Sequence, residues 1–137
     1  MLLFIDLDGF KAVNDLYGHE TGDALLIEFG SRLEHAVRRT DLVARLAGDE
    51  FVVVLDHVHD PAHDAEQVSR KILEAAGQPY AGIAGLELGA SVGVAHYLQD
   101  DTPDTLLSRA DAAMYVAKKA GKNRLAFLRD GEWVVSS

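Results

Sequence analysis

The chain has no cysteine among its 137 residues. That excludes a disulfide framework and any thiolate metal centre, and it fits a reducing compartment. Proline occurs three times and tryptophan once, and no proline-rich linker, repeat or low-complexity stretch divides the chain. Basic side chains are in the minority, 13 Lys and Arg against 22 Asp and Glu, for a net charge of -9. Phosphate backbones select basic faces, so a nucleic-acid polymer is a poor partner. A small anionic ligand would need a metal or a local basic cluster. No apolar run approaches the ~20 residues of a membrane span, and no charged-then-apolar leader precedes a cleavage site. The expectation is a cytoplasmic domain without membrane contact.

What is present suits one globular domain with one core, since 48% of the residues are hydrophobic and the length is near the usual domain size. The most informative stretch is Arg45-Leu46-Ala47-Gly48-Asp49-Glu50-Phe51. It reads as a strand, a tight acidic tip and a second, β-branched and aromatic strand. Gly48-Asp49 is an ordinary hairpin turn taken alone. Two adjacent carboxylates with only Arg45 nearby must nevertheless face water, a cation or a metal-bound ligand.

The chain opens on the apolar run Leu2-Leu3-Phe4-Ile5, a strand covered on both faces, and runs into Asp6-Leu7-Asp8. Gly9 permits a bend, and Phe10 to Tyr17 suits a short helix. Gly18 to Asp23 reads as a turn, followed by an amphipathic helix with Leu25, Leu26, Phe29 and Leu33 inward and Glu28, Arg32 and Glu34 in water. Asp56 to Asp64 reads as a polar loop in which His57 and His59 are solvated, and His63 with them. A helix then carries Ala65, Val68 and Ile72 inward and stops at Gly77. From Leu86 to His96 the apolar residues alternate, as in a strand. A last helix precedes two strands, Arg124 to Leu128 and Glu132 to Val135, read as edge strands joined across Asp130-Gly131.

This order of elements matches the ferredoxin-like pattern, an α+β fold. Its first helical connection returns the chain to the starting edge, so the second strand runs parallel to the first. If the third strand inserts between them, Asp6 and Asp8 face Asp49 and Glu50. Carboxylates so close repel unless a divalent cation sits among them, and an oxygen-only set suits Mg²⁺, which also recruits substrate phosphates. Phosphates would lie over Gly9, Phe10 and Lys11, and Gly48 leaves the approach from the hairpin open. Asp23 can accept both donors of a guanine edge, with Asn14 adding an amide, which favours GTP over ATP.

Several ordered motifs, Phe4 to Lys11 with Asn14-Asp15, Tyr17-Gly18-His19 with Gly22-Asp23, Arg45 to Phe51, Ala90 to Ala95, and Ala110 to Tyr115 through Lys118, Gly121, Lys122 and Asn123, together resemble the GGDEF family of diguanylate cyclases. The resemblance spans nearly the whole chain and implies a nucleotidyl-cyclase, palm-like domain that joins two GTP into cyclic di-GMP, releasing two pyrophosphates, within a homodimer. It implies Asp6, the Leu7 carbonyl and Asp49 as ligands of Mg²⁺ or Mn²⁺, with Glu50 as the second acid at the reacting hydroxyl or metal. Asn14 and Asp23 match guanine contacts; Lys11, Lys118 and Lys122 match phosphate contacts, though the late lysines also suit a helix C-terminus. Arg38 and Asp41 match the family's inhibitory product-binding Arg-x-x-Asp, roughly 20 Å or more from the tip at ~3.3 Å per residue. Physically they suit guanine, or else an ordinary helix-end ion pair.

Two departures stand out. Ala47 replaces the first glycine of the signature, which matters only if that position needs positive φ. The segment and helix that usually precede the first strand are missing, so residues 1–137 are expected to be one GGDEF-like domain from a longer protein with upstream sensor domains. The alternative function is a catalytically silent cyclic di-GMP or GTP receptor.

Overall fold

The computed structural model describes residues 1–137 throughout. Strand β1 (Leu2–Asp8) leads through α1 (Phe10–Tyr17) and α2 (His19–Ala36) to the hairpin β2 (Leu42–Ala47) and β3 (Glu50–Val54). Helix α3 (Pro61–Gly77), strand β4 (Gly89–Ala95), helix α4 (Pro103–Lys119) and strands β5 (Arg124–Arg129) and β6 (Glu132–Ser136) complete the chain. The strands form one sheet in the order β2-β3-β1-β4-β5-β6. All pairings are antiparallel except β4 with β5. Since β3 is antiparallel to both β1 and β2, those two run parallel with β3 inserted between them, the topology expected from the sequence.

Alternation along β1 divides the core. Leu3, Ile5 and Leu7 join residues of α1, α2 and α3, such as Val13, Phe29 and Ile72, in one large apolar cluster. Leu2 and Phe4 face the other way, onto Ala110 and Met114 of α4. By the same period of two, Asp6 and Asp8 point to the α4 side. Phe29 and Phe51 meet edge to face, with ring centroids 5.2 Å apart, and lock α2 onto β3.

Helix α4 is set against β4 by the absence of a side chain. A Cβ on Gly93 would lie 2.1 Å from both the Ala110 carbonyl oxygen and the Met114 nitrogen. The helix backbone therefore rests on the strand backbone. Its start is fixed by Thr102 and Thr105, which cap each other's backbone amides, with Pro103 in the first turn.

Several local expectations are corrected. Helix α2 begins at His19, so Gly22 and Asp23 are helical and not part of a turn; Gly18, at φ 91°, makes the break, and its carbonyl accepts from the Gly22 N–H. The polar loop ends earlier than Asp64, because the Asp60 carboxylate caps α3 by accepting from the His63 N–H. Strand β4 begins at Gly89. Leu86 and Leu88 pack on the core from a loop instead, and Arg32 holds the segment that leads into that loop. It is not on the wet side of α2: its guanidinium donates to the carbonyls of Ala75, Gln78 and Pro79 and stacks on Tyr80 at 3.9 Å. Strand β5 is interior, because it pairs with β4 as well as β6. Asp130 (φ 51°) and Gly131 (φ 79°) do make the turn between β5 and β6.

Adding one methyl group at the α4–β4 contact tests this packing. Gly93→Ala should cost about 3 kcal/mol of stability, since backbone on both sides cannot yield as a side chain would. Urea unfolding with an unchanged midpoint would contradict the contact.

Candidate active site

The site is built where the β1 C-terminal end meets the β2–β3 tip. In the ladder Asp6 stands directly opposite Glu50, and the Asp49 carbonyl accepts from the Leu7 N–H at 3.3 Å. Gly48 takes the left-handed conformation at the tip, with φ 52°. Ala47 is not among the positive-φ residues, so alanine there carries no backbone strain.

Asp6 is only 6% exposed. Its Oδ1 is buried and has no hydrogen-bond donor, while its Oδ2 pairs with the Lys118 ammonium from the last turn of α4. Burial, and then the neighbouring Asp49 carboxylate, favour the neutral form; together they outweigh Lys118 and push the Asp6 carboxyl up to about 6. Burial alone would lower the Lys118 ammonium, but Asp6, Asp8 and Asp49 together raise it above its ordinary value.

The expected convergence of four carboxylates is not what forms. No group of three or more acidic or histidine side chains is close enough to make a ready cage for a metal. Asp8 is committed elsewhere: it accepts from Ser91 Oγ and from the Asn123 N–H, each at 2.8 Å. The latter bond ties down a loop in which Lys122 (φ 65°) and Asn123 (φ 47°) are both left-handed, an arrangement side chains disfavour. Asp8 thus anchors the exposed Lys122 beside the β1 end. Sequence reading missed this role, and only the Ser and Asn of distant motifs hint at it. The histidines His57, His59 and His63 gather no metal site either.

On the other side of β1, Gly9 (φ 87°) turns the chain into α1. Lys11 is exposed there, whereas the Phe10 side chain is buried in the core, so only its backbone can serve a ligand. Asn14 and Asp23 are brought together by Gly22. A Cβ on Gly22 would fall 1.9 Å from Asn14 Oδ1, so the amide lies over bare backbone one residue from the exposed Asp23. That amide oxygen is buried without a hydrogen-bond partner, as a group reserved for a ligand would be.

Arg38 and Asp41 lie past the opposite end of β2. The Asp41 carboxylate accepts from the backbone N–H groups of Arg38 and Asp56, each at 2.8 Å. The exposed Arg38 guanidinium is not paired with it, so the simple helix-end ion pair does not form. Arg38, Asp41, His57 and Lys71 line a recess of about 210 Å³.

Comparison with known proteins bears on the family and the fold. The family described as "Diguanylate cyclase, GGDEF domain" matches residues 1–124. The bifunctional diguanylate cyclase/cyclic di-GMP phosphodiesterase MucR of Pseudomonas aeruginosa is 47% identical over 128 residues, covering 92% of this chain and 18% of that protein. Diguanylate cyclase TpbB of the same species is 42% identical over 134 residues, covering 94% of this chain and 31% of that protein. The chain therefore spans about a fifth to a third of these relatives. Its fold superposes on the crystal structure of the TpbB GGDEF domain with a TM-score of 0.85 at 35% identity, covering 93% of this chain and 81% of that one. The GGDEF domain of DgcB from Caulobacter crescentus, solved in complex with c-di-GMP, gives 0.81 at 25% identity, over 92% and 75% of the two chains.

The strained electrostatics around Asp6 can be measured. A carboxyl raised from 3.8 to about 6 favours the fold while protonated; that contribution is complete below the lower value and is lost as pH rises through the upper one. Asp6→Asn should therefore stabilise the protein at pH 7 by on the order of 1–2 kcal/mol, and the gain should shrink toward pH 4. Thermal melts showing a loss at pH 7 would refute the assignment.

Proposed function

Because the chain belongs to the GGDEF domain family of diguanylate cyclases, we propose that it condenses two GTP into cyclic di-GMP with release of two pyrophosphates. The observation that carries this reading is the buried Asp6 beside Asp49. An anion with an unsatisfied buried oxygen, next to a second carboxylate and the Leu7 peptide, suits a hard divalent cation with oxygen ligands, Mg²⁺ or Mn²⁺. Asp6, the Leu7 carbonyl and Asp49 would hold it, with Glu50 alongside. When bound, such an ion polarises phosphate oxygens and offsets developing negative charge.

The chain's own residues do the rest. Asn14 and Asp23 recognise the guanine edge, and the unpartnered Asn14 oxygen supports that use. Lys11, Lys118 and Lys122 neutralise phosphates beside Gly9, the Phe10 amide, Ala47 and Gly48, and this electrostatic positioning supplies most of the rate. Glu50, which faces Asp6 in the ladder, takes the proton of the attacking 3′-hydroxyl in this reading. One domain presents one GTP, so the hydroxyl of the second comes from another copy of the chain. Catalysis therefore requires a homodimer, at least transiently.

Arg38 and Asp41 provide product feedback in this reading. The unpaired Arg38 guanidinium is available to chelate O6 and N7 of guanine. The single domain of residues 1–137 works under control of sensor domains elsewhere in a longer protein, as the greater length of its relatives suggests.

Incubating the concentrated protein with GTP and Mg²⁺ and resolving the nucleotides tests the activity. The wild type should form cyclic di-GMP, and Asp49→Ala should lower the rate by about 10²-fold or more. No product together with tight cyclic di-GMP binding would replace the enzyme reading by the receptor. In the same assay Arg38→Ala should keep turnover and lose inhibition by added product; an unchanged inhibition curve would remove Arg38 from the feedback site.

A further inference from the structure

We propose that Lys118 is an exchangeable counter-cation: its ammonium neutralises Asp6 until a divalent ion claims the same carboxylate, which releases the lysine to a nucleotide phosphate. This rests on the reading of Asp6 as a cation ligand, and it adds a coupling between metal and nucleotide that a fixed phosphate contact would not have.

The pairing is specific. Lys118 bonds Asp6 Oδ2, whereas Asp6 Oδ1 has no partner. A buried carboxylate is costly unless a positive charge compensates it, and Lys118 is the cation in contact with it. Asp8 and Asp49 add to the negative field at the ammonium. Two positive charges on one carboxylate repel, so a divalent ion entering at the free Oδ1 competes with Lys118 at Oδ2 for the same negative charge.

The lysine is also built to leave. The backbone of α4 is fixed by its contact with β4 at Gly93, so the residue keeps its place while its side chain moves. That side chain is 33% exposed, against 9% for the Asp6 side chain. A lysine stem is flexible, with three rotatable donors at its end, and solvent lies on one side of this one. Asp8 is held by Ser91 and Asn123, so it cannot follow the ammonium outward. A released ammonium is therefore free to meet a phosphate near Lys122, on the loop that Asp8 anchors.

The consequence is a linkage. An ion binding without nucleotide must displace Lys118 with no compensation, so its affinity is suppressed. A nucleotide that receives the lysine restores that loss, and each ligand then strengthens the other by the same factor. A lysine that only touched phosphate would leave ion affinity unchanged when no nucleotide is present.

Mn²⁺ alone serves as the probe, titrated into the nucleotide-free full chain and followed by water-proton relaxation. Lys118→Met should bind Mn²⁺ roughly tenfold more tightly than wild type, the size of a lost charge-assisted hydrogen bond. Lys118→Gln should behave likewise, and Lys118→Arg should not. With Mn²⁺ present, Lys118→Met should bind GTP more weakly. Equal or weaker Mn²⁺ binding in both Lys118→Met and Lys118→Gln, binding too weak to detect in all three proteins included, overturns the exchange. Asp6→Asn separates the two layers: if it binds Mn²⁺ as the wild type does, Asp6 is not a ligand and the underlying reading falls with the exchange.

Discussion

Everything at the acidic end of the sheet depends on one register, the antiparallel ladder in which Asp6 of β1 faces Glu50 of β3. Sliding that ladder by one residue would move Asp6 to the other face of the sheet, among the apolar side chains that pack on α2. The register is held by burial and not by the acids. Leu3, Ile5, Phe51 and Val53 all share the large core, and a slip would expose them together. Apolar packing thus forces negative charges into proximity that they would not choose, and the tip turn at Gly48 carries Asp49 into the same place.

This arrangement stores strain of a useful kind. Asp6 carries the signature of a group whose surroundings favour function over stability: it is buried, crowded by a like charge, and partly relieved by Lys118. Functional sites are where such local conflicts are tolerated, because the rest of the domain over-determines the backbone. Here that rigidity comes from bare backbone contacts. Gly93 brings α4 down onto β4, and Gly22 brings Asn14 over α2. Two glycines in different motifs therefore fix the helix that carries Lys118 and the amide of Asn14. The opposite end of the sheet holds Arg38 and Asp41, so substrate and feedback readings draw on separate surfaces of a single layer.

Much of this was legible in the chain itself. The run Leu2 to Ile5, the hairpin flanking Gly48-Asp49 and the helical spacings of Leu25 to Leu33 and Ala110 to Ala117 each announce their element, because burial imposes a period that local sequence must show. The inserted position of β3 followed from the order of elements. What could not be read were partners distant in sequence. Leu86 and Leu88 alternate like strand residues, yet they lie in a loop whose earlier part is tied by Arg32 to Gln78 and Pro79 and by Tyr17 to Ala84. Asp8 looks like a fourth metal acid, yet Ser91 and Asn123 claim it. Arg32 has the spacing of an exposed residue, yet three carbonyls of the α3 terminus take it up. In each case a tertiary hydrogen bond overrides a local pattern, and no period encodes it.

The central claim is that this register brings Asp6 and Asp49 together to hold a divalent ion at a guanine nucleotide. Anomalous diffraction from crystals grown with Mn²⁺ and a non-reactive GTP analogue tests it most directly. The account predicts an anomalous peak between the Asp6 and Asp49 carboxylates and the Leu7 carbonyl, with the guanine edge at Asn14 and Asp23. A peak elsewhere, or bound nucleotide with Asp6 and Asp49 turned away from the ion, would contradict it.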